Sequence, residues 1–175
     1  MSSTTGPPLG APLIVNFDYT RSLGPVLSGF LTALRERRIL GIRGSDGRVH
    51  VPPPEYDPVT AEPLSELVEV AATGEVLSWS WMPDPLESQP LAKPFAWALI
   101  RLDGADTPMV HALDAPHDQV HTGLRVRARW AGETIGSIRD IECFVPDLDS
   151  PAEPPEPAEA AEATEAGRPG PAQEQ

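Results

Sequence analysis

The stretch Gly74-Glu-Val-Leu-Ser-Trp-Ser-Trp-Met82 has the pattern of a β-strand with one apolar face. Leu77, Trp79 and Trp81 recur at every second position, the spacing that places side chains on the same face of a strand. Similar short segments lie on both sides of this stretch, separated by turn-forming residues. The predicted strands cover residues 65–71, 74–82, 95–102, 108–115, 124–131 and 136–144. Five or six short strands with brief connections predict a small antiparallel barrel rather than a sandwich or a βαβ fold.

A proline-rich segment separates the second and third of these strands. Residues 83–94 contain four prolines and predict a long loop, with Leu86 as an apolar side chain near its middle. Loops of this length within compact domains are often functional. We therefore expect this loop to form part of a docking surface.

A helix is predicted upstream of the strands, over residues 22–38. Ser22 is suited to cap its start, and Pro25 is tolerated in a first helical turn. Its apolar stripe consists of Val26, Phe30 and Leu34, at helical spacing. Gly41 is expected to end the helix, and a turn-rich segment follows over residues 41–63.

Composition limits the classes of partner. The chain has 175 residues and a formal net charge of −13, from 13 basic and 26 acidic residues, which argues against general electrostatic binding of nucleic acid or anionic membranes. No apolar run approaches the ~20 residues of a membrane span. The N-terminus lacks the pattern of a signal peptide, so a cytoplasmic protein is expected. A single cysteine, Cys143, excludes an internal disulfide and a cysteine zinc site.

The two ends differ from the middle of the chain. Residues 1–12 are small, polar and proline-containing, and residues 147–175 form an acidic tail of Ala, Pro and Glu. Such segments bury too little apolar surface to offset the entropy of ordering, so both are predicted to be disordered. Between them we expect a helical segment at 13–40, a turn-rich segment at 41–63 and a barrel at 64–146.

Candidate catalytic residues are sparse. His111, His117 and His121 could be taken for a metal set, and His111, Asp114 or His121 for an acid–base group of a self-sufficient lyase or hydratase. No carboxylate or cysteine motif frames them, and nothing in the sequence places an acid and a base together. Cys143 is expected to be a buried structural thiol. We therefore predict that the chain has no catalytic residues of its own.

A stripe of cations is the most distinctive charge pattern. Arg125, Arg127 and Arg129 alternate with apolar residues and fall on one strand face. In one interpretation this is a solvated face offset by Asp140 and Glu142 on the next strand. In the other, the stripe contacts an acidic partner or a phosphate-bearing ligand.

The chain resembles the acyl-CoA-associated OB-fold family, the domain of unknown function numbered thirty-five. The resemblance covers about residues 25–146 and is carried by an ordered set of short motifs. They are Gly29-Phe-Leu-Thr-Ala-Leu-Arg-Glu-Arg-Arg-Ile-Leu40, Gly47-Arg-Val-His-Val-Pro-Pro53, Gly74-Glu-Val-Leu-Ser-Trp79, Pro94-Phe-Ala-Trp-Ala-Leu-Ile-Arg-Leu-Asp103 and Gly123-Leu-Arg-Val-Arg127. It implies an N-terminal helix, a rubredoxin-like zinc ribbon and a C-terminal five- or six-stranded antiparallel OB-fold barrel.

The zinc ribbon implied by the resemblance has lost its ligands in this sequence. The four cysteine positions of the family fall on Arg43, Asp46, Asp57 and Thr60. These side chains do not make a tetrahedral zinc site, so no bound metal is expected. We expect an ion pair of Arg43 with Asp46 or Asp57, together with the neighbouring prolines, to hold the ribbon-like segment instead.

The resemblance also implies a function. Members of the family accompany thiolase-fold enzymes, including lipid-transfer-protein-like aldolases of steroid breakdown. This implies a non-catalytic accessory subunit in a hetero-oligomer, needed for assembly and for completing the partner's acyl-CoA site, with no cofactor of its own. The expected partner contacts are Phe30, Leu34, Trp79, Trp81 and Leu86. A free-standing acyl-CoA-binding protein remains an alternative, with Arg125, Arg127 and Arg129 receiving the phosphates.

Overall fold

The computed structural model describes residues 22–148. The predicted disordered ends, 1–12 and most of 147–175, lie outside the described residues. The elements are α1 (Pro25–Arg35), β1 (Ile39–Arg43), β2 (Val49–His50), β3 (Leu67–Val70), β4 (Thr73–Met82), β5 (Phe95–Leu102), β6 (Met109–Leu113), β7 (Arg125–Trp130) and β8 (Ile141–Pro146). Short 3-10 turns lie at His117–Gln119 and Ile138–Asp140. No helix of the described part is both long and apolar enough to cross a membrane.

The helix α1 is shorter than predicted at both ends. Its N-cap is Gly24 rather than the expected Ser22, and Pro25 occupies the first turn. It ends at Arg35, because the chain then turns through Arg37, whose φ is 60°. Its buried side chains are Val26, Phe30, Ala33 and Leu34, as the apolar spacing predicts.

A three-stranded sheet follows, in the order β2-β1-β3 and antiparallel throughout. We predicted residues 65–71 to be part of the barrel, and this was wrong: β3 pairs with β1, with Ile39 opposite Val70 and Ile42 opposite Leu67. Residues 39 and 40, expected at the end of the helical segment, begin β1. The ribbon-like part of the chain therefore extends to β3.

The remaining five strands close into a barrel in the order β4-β5-β6-β8-β7, with β7 returning to pair with β4. Strands β6 and β8 are parallel where Leu113 meets Phe144, and the other barrel pairings are antiparallel. This confirms the predicted mainly-β fold with a five-stranded barrel. The last strand starts at Ile141 rather than at residue 136, because the 3-10 turn occupies the preceding residues.

One apolar core joins all three parts. The buried cluster includes Phe30 and Leu34 of α1, Ile39 and Val70 of the first sheet, and the barrel interior around Ile100. Burial of this kind is the main source of folding free energy, roughly 25 cal/mol per Å² of apolar surface. A smaller cluster lies under residues 83–94, where Leu91 packs with Phe95, Ala112 and Cys143. The helix, the first sheet and the barrel therefore share one core.

The loop between β5 and β6 completes the edge of the first sheet. The Asp106 carboxylate accepts a hydrogen bond from Val49 N–H at 2.7 Å, and Asp106 N–H donates to the Val49 carbonyl at 2.8 Å. Thr107 Oγ1 accepts from Val51 N–H at 2.9 Å. Backbone groups of the β2 edge are thus paired by the barrel.

Candidate functional site

A groove crosses the outside of the barrel between two loops. Its floor is formed by Trp97 of β5, Val110 of β6 and Ile141 of β8, and its walls are residues 87–90 and the turn at Ile138–Asp140. Its volume is about 590 Å³. In barrels with this strand order, the second and third strands and the loops after the first and fourth strands form the face that binds ligands. We call this feature the β5–β6 groove.

Large apolar side chains are exposed in and beside the β5–β6 groove. Val110 is 63% exposed, and Leu86 and Ile138 next to the groove are 67% and 41% exposed. Glu87, Arg139 and Glu142 supply charge along the same lining. An apolar floor with polar groups around it is the anatomy of a protein-binding surface.

His111 lies at one end of the groove and is almost completely buried, with 8% exposure. Its ring stands edge-on to Phe144 with the centroids 5.5 Å apart, and its buried Nδ1 has no hydrogen-bond partner. Burial lowers the pKa of His111, although backbone groups of Ala112 and Ile138 oppose the shift. The imidazole is therefore neutral at pH 7.

The structure separates the three histidines that could have formed one site. His117 packs edge-on against Trp79 and Trp81, with ring centroids 5.8 and 4.9 Å apart. His121 is exposed, and its Nδ1 lies 2.9 Å from its neighbour's carbonyl oxygen. Across residues 22–148, no group of three or more His, Cys, Asp or Glu side chains is placed to hold a metal ion.

The candidate acid Asp114 is held by cations. Its carboxylate contacts Lys93 Nζ at 2.8 Å and Arg129 Nη1 at 2.7 Å. Burial opposes ionisation, but these two cations keep the pKa of Asp114 below its ordinary value. Cys143 is buried, as predicted, and burial raises the pKa of its thiol to about 11. Neither group is poised for proton transfer or nucleophilic attack at neutral pH.

The arginine stripe lies along β7 and meets carboxylates. Arg125 forms a two-point ion pair with Asp103, which lowers the pKa of Asp103. Arg129 binds Glu142 at 3.0 Å as well as Asp114. Arg127 is the most exposed member, with Asp147 at 4.0 Å.

The interpretation that Asp140 and Glu142 offset the positive charge of the arginine stripe was correct for Glu142 and wrong for Asp140. The Asp140 carboxylate is only 1% exposed and accepts backbone N–H bonds from Ile135, Gly136 and Ser137 at 2.8–3.1 Å. Burial opposes its ionisation, but these three donors lower the pKa of Asp140. Asp140 therefore shapes the loop that forms one wall of the β5–β6 groove.

The predicted partner contacts divide into two groups. Phe30 and Leu34 are 2% and 0% exposed, so the prediction that they contact a partner was wrong: the stripe that signals an amphipathic helix faces the protein's own core. Trp79 and Trp81 are half-buried against that core. Leu86 is exposed, beside the groove.

The positions of the family cysteines are occupied by a different arrangement of bonds. Arg43 donates to the Gly47 carbonyl at 2.9 Å and pairs with Glu66 at 3.4 Å, so the expected pair with Asp46 or Asp57 is not formed. Asp57 is 3% exposed and accepts backbone N–H bonds from Ser45, Val59 and Thr60. A guanidinium cannot ligate zinc, and the Asp57 oxygens are already engaged. The residues present do not fit a zinc ion.

The roles of several residues of these sites were not identified from the sequence. The sequence indicates the exposed apolar side chain of Val110 only weakly. Val110 is an apolar residue at the outward-facing position of the strand between Met109 and His111. Asp57 begins Asp57-Pro-Val-Thr60, a pattern in which the carboxylate can accept from the amides two and three residues on. Ser137 and Asp140 form a capping box, which spacing alone suggests.

Comparison with known proteins agrees with this architecture. Residues 67–131, from β3 to the residue after β7, match the family model described as the ChsH2, C-terminal OB-fold domain. This segment is similar to the C-terminal OB-fold domain of ChsH2. The predicted resemblance to the OB-fold family is thereby confirmed.

Two solved structures have the same fold. One is a DUF35-family protein of unknown function from Sulfolobus solfataricus, with a TM-score of 0.54, 21% identity, and coverage of 71% of this chain and 87% of that one. The other is a chain of an Ltp2-ChsH2(DUF35) aldolase, with a TM-score of 0.54, 23% identity, and coverage of 73% and 98%. No curated protein sequence matches the chain significantly.

Proposed function

We propose that this chain is a non-catalytic accessory subunit of a thiolase-fold acyl-CoA enzyme of the lipid-transfer-protein-like type. The observation that carries the proposal is that 73% of this chain has the fold of a chain in the Ltp2-ChsH2(DUF35) aldolase. The partner supplies the catalytic groups and takes acyl-CoA as its substrate. A role in lipid or steroid breakdown, by thiolysis or retro-aldol cleavage, belongs to the same proposal.

The chemistry of the described residues supports a non-catalytic role. His111 is buried and neutral, Asp114 is held by two cations, and the Cys143 thiol stays protonated at neutral pH. General acid–base catalysis needs a proton donor or acceptor within reach of a substrate at a pKa near the working pH. The β5–β6 groove offers apolar contact and shape instead.

The groove is the proposed docking face. Val110, Ile138 and Leu86 present apolar surface, and Trp97 supplies an aromatic floor of the kind that anchors protein interfaces. We propose that an apolar segment of the partner enters between the two loops. Docking there would place the barrel against the partner through Val110, Ile138 and Leu86, which are exposed and lie outside the buried core.

The arginine stripe supports this assignment better than the free-standing acyl-CoA-binding alternative. Arg125 and Arg129 each have carboxylate partners, and only Arg127 is loosely paired and largely exposed. A phosphate would have to displace those carboxylates, at the cost of their charge-assisted hydrogen bonds. We propose that the stripe stabilises the barrel surface.

The docking face is tested with two matched substitutions. Val110 and Val59 are similarly exposed, at 63% and 69%, but Val59 lies in the ribbon-like part. The full chain is co-expressed with a thiolase-fold protein of the lipid-transfer-protein-like type, and complex formation is measured by light scattering after size exclusion. Val110→Arg should abolish the complex and Val59→Arg should leave it, with both variants melting as the unmodified chain does.

The outcomes separate the proposals. A complex that survives Val110→Arg rejects the groove as the docking face. If the unmodified chain forms no complex and leaves the partner's turnover unchanged, the accessory-subunit function is wrong. Calorimetric binding of acyl-CoA to the isolated chain would favour the free-standing acyl-CoA-binding protein.

The non-catalytic role is tested separately in the intact complex. His111→Gln and His121→Ala should each lower the turnover number less than about tenfold, whereas loss of a general acid or base costs roughly 10²–10⁴-fold. The measurement is turnover per complex after purification. A single substitution that stops turnover while the complex remains intact would contradict the proposal.

A further inference from the structure

The ribbon-like part of the chain has no cysteine at the four positions where the resembled family has its metal ligands. Two turns face each other there, one at residues 43–47 and one at residues 57–60. Zinc ribbons hold such turns together through four metal ligands. The residues at those positions in this chain do not fit zinc, so another cross-link must join the turns.

The Asp57 side chain reaches both turns. Its Oδ2 accepts a hydrogen bond from Ser45 N–H at 2.6 Å, across to the first turn. Its Oδ1 accepts from Val59 N–H at 2.7 Å and Thr60 N–H at 3.0 Å, within the second turn. A buried carboxylate with three backbone donors is a satisfied charge, and bonds to a charged acceptor are stronger than neutral ones.

The space around this carboxylate is closely fitted. A Cβ atom added to Gly44 would lie 3.0 Å from Asp46 Oδ1, 3.1 Å from His50 Nε2 and 3.4 Å from Asp57 Oδ2. Gly44 therefore lets the first turn approach Asp57. The other titratable groups around the position are Asp46, His50, Arg43, Glu62 and Glu66.

We propose that the Asp57 carboxylate replaces the metal ion as the cross-link between the two turns, so that this part of the protein folds without zinc. In this cross-link a carboxylate accepts hydrogen bonds from backbone N–H groups of both turns, whereas in a zinc ribbon the metal ion binds cysteine thiolates of both turns. Arg43 does not do this job: it bonds within its own turn to Gly47 and to the exposed Glu66.

The test compares Asp57→Asn with Asp46→Asn in the full chain. Asp46 is an exposed aspartate within the first turn, and its carboxylate accepts one backbone N–H bond, from Arg48, at 3.0 Å. Asparagine keeps the size of the side chain but removes its charge, and it has one oxygen where the carboxylate has two. The melting temperature should fall by about 5 °C or more for Asp57→Asn and by less than about 2 °C for Asp46→Asn.

A second variant restores the metal ligands. Replacing Arg43, Asp46, Asp57 and Thr60 together by cysteine should give a chain that binds one Zn²⁺, with a melting temperature that rises with zinc and falls with a chelator. Co²⁺ in the same site should show the absorption of tetrahedral thiolate ligation. The unmodified chain should melt at the same temperature with and without the chelator.

Three results would overturn the proposal. They are equal melting temperatures for the two asparagine variants, a melting temperature of the unmodified chain that drops with chelator, and a four-cysteine variant that gains no stability from zinc. If Asp57→Asn does not fold, hydrogen exchange of the unmodified chain decides. The amides of Ser45, Val59 and Thr60 should then be protected, and exchange of Ser45 N–H at the unprotected rate would reject the cross-link.

Discussion

Asp57 and Asp140 lie in different parts of the molecule and use the same chemistry. Each is buried, and each accepts three backbone N–H bonds. Asp140 takes its donors from residues three to five positions before it, within one loop. Asp57 takes one donor from Ser45, twelve residues away on another turn. The same number of bonds therefore shapes a single loop in one case and joins two segments in the other.

The two regions also differ in their other supports. The Asp140 loop is braced by α1: Arg35 Nη2 donates to the Ile135 carbonyl at 3.0 Å, and Thr134 Oγ1 donates to the Arg35 carbonyl at 2.8 Å. Loss of the Asp140 charge leaves these bonds in place. The comparison teaches that the cost of losing a buried carboxylate depends on what else joins the segments it connects.

The largest effect is expected from Asp57→Asn set against Asp140→Asn. The fall in melting temperature should be at least twice as large for Asp57→Asn, because only this change separates two turns. Hydrogen exchange should localise the damage to residues 44–64 in one variant and 131–140 in the other. Equal losses, or exchange that rises across the whole chain in both variants, would contradict the comparison.

An intermediate effect is expected from acid. Hydrogen bonds from Ser45, Thr60 and Val59 hold the pKa of Asp57 well below its ordinary value near 3.8, against the opposing effect of burial. A group with a lowered folded-state pKa contributes stability above its unfolded pKa and loses it as the pH falls further. The melting temperature should therefore decrease below about pH 4, where protonation of the unfolded state begins.

Thermal melts between pH 7 and pH 2 measure this effect. The double variant Asp57→Asn, Asp140→Asn should start from a lower melting temperature and lose less of it below pH 4. A double variant that loses as much as the unmodified chain would show that other carboxylates dominate the acid response.

The smallest effect is expected on the arginine stripe, where side chains pair with side chains. Arg127 is 55% exposed and lies 4.0 Å from Asp147, so Arg127→Ala should change the free energy of unfolding by less than about 1 kcal/mol. Arg125→Ala should cost more, because Arg125 is less exposed and binds Asp103 at two points. Denaturant titration at low and high salt measures both, and a larger loss for Arg127→Ala would reverse this ranking.

Local patterns in the sequence predicted most of the elements. The spacing of Val26, Phe30 and Leu34 gave the helix, and alternation around Trp79 gave the barrel strands. Alternation assigns a residue to a face and says nothing about the neighbouring strand, so β3 was assigned to the wrong sheet. The same spacing that identified Phe30 and Leu34 also misled, because an apolar helix face covers the protein's own core as readily as a partner.

The candidate sites were harder to predict because closure of the barrel assembles them. Val110 and Ile138 are 28 residues apart in sequence, and they line one groove only when β6 and β8 become neighbours. The role of Asp57 depends on the backbone N–H of Ser45, which lies on the other turn. The side-chain pattern of the sequence does not predict that these two groups are close together. Resemblance to a family with cysteine at that position pointed to a missing metal, and the replacement was visible only in the geometry.

The loop that joins β5 to β6 links the barrel to the first sheet, so the two parts are expected to fold together. Asp106 and Thr107 pair with backbone groups of the first sheet, and the two parts share one core. A barrel excised by cutting the chain before residue 64 should therefore not be stable. Asp106 and Thr107 would lose their backbone partners, and the core residues that pack against α1 and the first sheet would be exposed to solvent. In natural or engineered recombination, the helix, the first sheet and the barrel should therefore be exchanged together.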